Sequence, residues 1–129
     1  MRVYTVVNQT RGTTVAERVS FADAFFARLR GLLGRRGLAA DEGLFLTPCS
    51  AIHTLFMAFP IDCAFLAADH GVLRIAADVR PWRLSLVCPG AAGVLELAAG
   101  RLAASGTAVG DRLGFMDQGA GFDARTDPC

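Results

Sequence analysis

The densest run of chemically able side chains is Cys49-Ser50-Ala51-Ile52-His53-Thr54-Leu55-Phe56-Met57-Ala58-Phe59-Pro60-Ile61-Asp62. Histidine titrates near neutrality. A cysteine or serine close to it can act as a nucleophile, with the imidazole as base and a carboxylate to orient the ring. Cys49 or Ser50 with His53, oriented by Asp62 or Glu96, would make a small hydrolase or transferase. No Gly-x-Ser-x-Gly elbow supports that chemistry. A binding pocket is the second reading. Taken as a strand, residues 51–59 place His53, Leu55, Met57 and Phe59 on one face, and Ile52, Thr54, Phe56 and Ala58 on the other. The third is a half-buried histidine satisfied by backbone or by Asp62. A metal site would need Cys49, His53 and a further ligand. The other histidine, His70, sits in a hairpin turn, so no metal is expected.

A second group is Arg80-Pro81-Trp82-Arg83, which holds the only tryptophan of the chain. Arginine offers a planar donor fork for carboxylate or phosphate, and the indole offers a stacking face. The alternative is an indole that plugs one end of the core while the arginines reach out to water. Glu96 lies in Val94-Leu95-Glu96-Leu97 and shares a face with Val94. On an inner face it would need a partner, for which Arg80 or Arg83 is the expected choice. The run Arg28-Leu29-Arg30-Gly31-Leu32-Leu33-Gly34-Arg35-Arg36 reads as a basic helix end facing solvent.

These groups need elements to hold them. Residues 2–7 and 13–19 read as strands joined at Arg11-Gly12. Ser20-Phe21-Ala22-Asp23 resembles a helix start, and the helical spacing of Phe21, Phe25, Leu29, Leu32 and Leu33 predicts a helix to about Gly34. Further strands are predicted at 44–46, 51–59, 63–67, 72–76, 84–88, 94–97 and 112–115. Asp69-His70-Gly71 makes a tight hairpin, Pro89-Gly90 and Gly110-Asp111 make turns, and 98–104 makes a short helical turn. Strands and helices do not alternate. The expected class is therefore α+β, mainly β: a small barrel- or sandwich-like sheet of short strands with one main helix packed on it. Residues 1–116 are expected to form one compact domain and 117–129 a flexible polar tail.

Composition narrows the function. A chain of 129 residues buries about two thirds of the surface it exposes unfolded. Apolar residues make up 53% and charged residues 19%, which excludes a disordered chain. Thirteen basic residues, all arginine, face twelve acidic ones, for a net charge of +1, so no nucleic-acid partner is expected. Mean hydropathy is +0.40, which raises the question of a membrane span or a homo-oligomer interface. The longest stretch without formal charge, 43–61, contains two prolines and a histidine, so no transmembrane segment is expected. The N-terminal apolar stretch is too short and interrupted for a signal peptide, and the chain reads as cytoplasmic. Of the cysteines, Cys63 and Cys88 are expected to be buried thiols and Cys129 incidental; no disulfide is needed.

Several blocks together resemble the family called domain of unknown function 192. They are Arg28-Leu29-Arg30-Gly31-Leu32-Leu33-Gly34-Arg35, His53 through Asp62, Cys63-Ala64-Phe65-Leu66, Arg80-Pro81-Trp82, Val94-Leu95-Glu96-Leu97-Ala98-Ala99-Gly100 and Gly110-Asp111. The resemblance implies a compact, mostly β protein with a helix on its sheet and no particular reaction. Many such relatives carry an export or lipoprotein signal. They often have Lys-Asn-Thr after the methionine; here Ala58-Phe59 follows Met57, so that polar role is missing. Among the matching residues, Gly100 is expected to allow close packing, Pro60 to fix the start of the next strand, and Asp62 to accept backbone N–H bonds. The expected function is a non-enzymatic ligand-binding or assembly module for a small molecule or a protein. Its pocket would draw on His53, Met57, Asp62, Arg80, Trp82, Arg83 and Glu96, with no cofactor.

Overall fold

Alternating apolar residues build this protein from short strands. The structure, a computed structural model, describes residues 2–22, 37–54, 57–83 and 86–118. In chain order these form β1 (Val3–Asn8), β2 (Thr13–Ala22), β3 (Glu42–Leu46), β4 (Ala51–Ile52), β5 (Ile61–Leu66), β6 (Val72–Val79), β7 (Leu86–Val87), β8 (Gly93–Ala98), α1 (Arg101–Ala104) and β9 (Leu113–Asp117). Seven strands make one sheet in the order β6-β5-β8-β3-β2-β1-β9, and β4 pairs with β7 in a separate ribbon. Within the large sheet β2 and β3 run parallel and the other neighbours antiparallel. Its two edges meet at a single bridge, Gly71 to Arg112, so the sheet curls into a half-barrel.

The two faces of the curl have different cores. Strand alternation sends Val6, Val15, Val19, Phe45, Ala64, Leu66, Val72, Leu95, Leu97 and Leu113 inward, one or more from every strand of the sheet. On the outer face, Leu44, Leu46, Cys63, Phe65 and Val94 of the central strands are covered by Ile52, Met57, Phe59, Leu86 and Cys88. The β4–β7 ribbon and the loops that follow β4 and β7 thus form a second layer over three strands. Gly93 makes room for the inner core, because a Cβ there would stand 2.4 Å from the Phe45 ring.

The mainly β class is as expected, with three local differences. Ser20, Phe21 and Ala22 continue β2 instead of starting a helix, since Ser20 pairs with Val3 of β1 and all three pair with Leu44, Phe45 and Leu46 of β3. The remainder of the predicted helix, the basic run 28–36 included, lies outside the described residues. The helical turn expected at 98–104 is α1. Of the strand expected at 51–59, the described residues keep Ala51–Ile52 alone, because Thr54 and Met57 bond to each other and Thr54 to the 80–83 turn. At the C-terminal end, Asp117 closes β9 and the Gln118 N–H donates to the Val3 carbonyl at 2.9 Å, so the predicted tail begins inside the sheet; residues 119–129 lie outside the described ones.

Candidate functional site

The most unusual local geometry is at Trp82. Its φ is +70°, a left-handed value that a bulky side chain rarely adopts. The residue is nonetheless 59% exposed. Thr54, fully buried, does the holding. Its N–H donates to the Arg83 carbonyl at 3.0 Å, and its own carbonyl accepts the Trp82 N–H at 2.8 Å. The Thr54 hydroxyl donates to the Arg80 carbonyl at 2.7 Å and accepts the Arg83 N–H at 2.8 Å. One side chain and its peptide groups therefore fix both arms of the turn.

The other end of this segment is fixed in the same manner. Asp78 has φ +50°, and its N–H donates to Asp62 Oδ1 at 2.8 Å. Asp62 is fully buried in β5. Its second oxygen accepts the N–H groups of Gly100 at 3.1 Å and Leu102 at 3.0 Å. Three backbone donors around one carboxylate compensate for its burial. The expectation that Asp62 accepts backbone N–H bonds thus holds, although it sits within a strand and not before one. Gly100, beside it, has φ +91°, and a Cβ placed there would meet nothing within 4 Å, so its requirement is conformational freedom and not the close packing expected. The end of β6 and the surface turn 80–83 that follows it are thus clamped by two buried polar side chains.

The other candidate residues distribute around this turn. Arg83 is exposed, and Arg80, 76% exposed, pairs with Asp78 at 3.4 Å. Glu96 is fully buried, whereas Arg80 and Arg83, either of which was expected to pair with it, are exposed. In the ladder Glu96 stands opposite Leu44 and Cys63, on the outer face that the second layer covers; Met57 is buried in that layer. Asp62 stands opposite Leu97 and belongs to the inner face. Asp62 and Glu96 are therefore not brought together. His53 is half-buried, next to Thr54 in the chain. Cys49 is half-buried and its thiol donates to the Ala51 carbonyl at 3.0 Å, a bond that requires the protonated form; Ser50 is exposed. Cys63 and Cys88 are buried, as expected. Among the described residues no three His, Cys, Asp or Glu side chains are placed to hold a metal ion.

Sequence reasoning did not single out Thr54, whose only signal was its place in the His53 block. It also missed a second buried polar cluster. Asp111 accepts bonds from Asn8 Nδ2 at 2.9 Å, Arg11 Nε at 2.8 Å and the Ala108 N–H at 3.0 Å. Arg11 and Asn8 hold its carboxyl down at about 2, below the ordinary 3.8. Gly110-Asp111 was legible as a turn, but Asn8 and Arg11 lie 103 and 100 residues away in the chain.

Half-barrel, covering ribbon and clamped turn define a class of small, mainly β proteins. The chain belongs to the domain of unknown function 192 family, described as Uncharacterized ACR, whose profile matches residues 6–115. It is 30% identical over 113 residues to a UPF0127 protein of Thermococcus sibiricus, covering 84% of this chain and 72% of the relative. A UPF0127 protein of Pyrococcus furiosus is 31% identical over 113 residues, covering 84% and 95%. Two crystal structures share the fold. One, a protein of unknown function from Novosphingobium aromaticivorans, superposes with a TM-score of 0.75 at 27% identity, covering 88% of this chain and 84% of that one. The other, from Sinorhizobium meliloti and provisionally described as a transcription regulator, gives 0.76 at 26% identity, covering 88% and 92%. No helix among the described residues is long and apolar enough to cross a membrane.

Proposed function

We propose that this protein is a non-enzymatic binding or assembly module whose contact element is the 80–83 turn. Trp82 and Arg83 meet the ligand or protein partner, with Arg80 beside them. His53, Met57 and Glu96 belong to the supporting layer, and Asp62 and Thr54 position the turn. The observation that carries this reading is an exposed tryptophan held at φ +70° by a buried threonine. Backbone strain of this kind costs about 1–3 kcal/mol and persists only where the surroundings over-determine it. Tryptophan and arginine are also the residue types that dominate binding hot spots. The near-neutral charge of the chain gives no support to a nucleic-acid role such as the description of the Sinorhizobium relative would suggest.

The test is capture from source-cell extract on immobilised wild-type and Trp82→Ala proteins, with mass spectrometry of what each retains. A species held by the wild type and lost from a variant of equal thermal midpoint supports the reading. Equal retention by both proteins, or a variant that melts far below the wild type, overturns it.

A further inference from the structure

We infer that the clamped turn takes a carboxylate-bearing peptide segment of a protein partner, an acidic residue next to an apolar one. This rests on the binding-module reading above. The argument is the local balance of charge and apolar surface. Arg83 is exposed, and among the described residues no carboxylate forms an ion pair with it. Arg80 shares only Asp78, which is itself 55% exposed, so that pair is solvated and open to exchange. Arg74 adds a third guanidinium beside the ribbon, donating to the Val87 carbonyl at 2.7 Å. The segment from Arg74 to Val87 thus carries three arginines and one carboxylate, in a chain whose net charge is only +1. The exposed large apolar residues described in the same segment are Trp82 and Val87, the latter 48% exposed.

Guanidinium forks match carboxylates in a bidentate geometry, and the indole covers an adjacent apolar side chain. Single-stranded nucleic acid is less well matched, since it is held along a basic groove, and the net charge of the chain is only +1. A membrane surface is also less well matched, because one aromatic tip gives only weak anchoring.

Trp82 is the only tryptophan, so intrinsic fluorescence reports this turn alone. The probes are acetylated pentapeptides that pair Glu with Leu or Phe, their Gln counterparts, oligo-dT, and phosphatidylserine vesicles. The expected result is a saturable shift of Trp82 emission by an acidic peptide at sub-millimolar concentration. The Gln counterpart should bind about tenfold more weakly, and added salt should weaken the acidic one. Arg83→Gln should lose about tenfold at an unchanged thermal midpoint, because only its side chain is altered and the backbone N–H that bonds Thr54 remains. Equal binding of Glu and Gln peptides, a response to oligo-dT or vesicles only, or no response to any peptide each overturns the inference. If Trp82→Ala still loses its captured species in those cases, the binding-module reading stands without this partner class. If capture is indifferent to Trp82, both fall.

Discussion

At the scale of single residues, Trp82 separates stability from function. A tryptophan at φ +70° carries strain that glycine does not, and its ring is mostly exposed. Trp82→Gly should therefore raise stability by about 1 kcal/mol in denaturant melts, or leave it unchanged, while abolishing partner capture. A marked loss of stability would mean the ring is part of the core after all. Asp62 behaves in the opposite way. Asp62→Asn turns one acceptor into a donor that faces either the Asp78 N–H or the Gly100 and Leu102 pair. The expected cost is about 2–3 kcal/mol at neutral pH, read as a lower denaturant midpoint. Asp62 was legible as a backbone acceptor because carboxylates near strand starts commonly play that role. Its partners were not legible, since they are 16, 38 and 40 residues away.

At the scale of elements, the segment after β4 shows where sequence patterning fails. Residues 51–59 alternate well enough to read as a strand, yet among the described residues only Ala51–Ile52 pair, with Val87 and Leu86. Thr54 ends the ladder by bonding across to the turn and by accepting the Met57 N–H at 3.2 Å, and such tertiary bonds leave no periodic trace in the sequence. Ser20–Ala22 fail for a related reason: a capping-box pattern is local, whereas the parallel partner β3, which begins at Glu42, overrides it. The hairpin at Asp69-His70-Gly71 and the turn at Gly110-Asp111 were legible because each depends on its own residues. The clamp can be tested as an element. Thr54→Val removes two hydrogen bonds to the turn and keeps the shape of the side chain. It should cost about 1–3 kcal/mol and speed hydrogen exchange at the Trp82 and Arg83 amides, while Thr54→Ser restores both. Unchanged exchange at those amides in Thr54→Val would show that the turn is held by something else.

At the scale of the whole molecule, closure of the sheet depends on a small seam between the starts of β6 and β9. The Val72 N–H donates to Asp111 O at 2.8 Å, the Gly110 N–H to Val72 O at 2.9 Å, and the Leu113 N–H to His70 O at 3.1 Å. Asp69 and Arg112 bridge the seam at 2.8 Å, and the His70 ring packs 4.6 Å from that of Phe115. Two titratable groups here make closure sensitive to acid. Burial against Phe45 and Phe115 pushes the His70 pKa below its ordinary 6.5, an effect that the neighbouring Asp69 only partly offsets. The unfolded chain then binds the His70 proton more readily than the folded one. Its contribution is present above pH 6.5 and is lost progressively below it. The Asp111 carboxyl is held at about 2, so its contribution is present above 3.8 and is lost as the pH falls from there toward 2. The denaturant midpoint plotted against pH should therefore show two descents. His70→Phe, which keeps the ring packing and removes the titration, should flatten the descent below 6.5 and leave the other. Asp111→Asn should lower the midpoint at neutral pH and flatten the acid descent. If His70→Phe follows the wild-type curve from neutral pH down to about 4, the seam does not respond to His70, and the loss of closure in acid belongs to Asp111 and the other carboxylates.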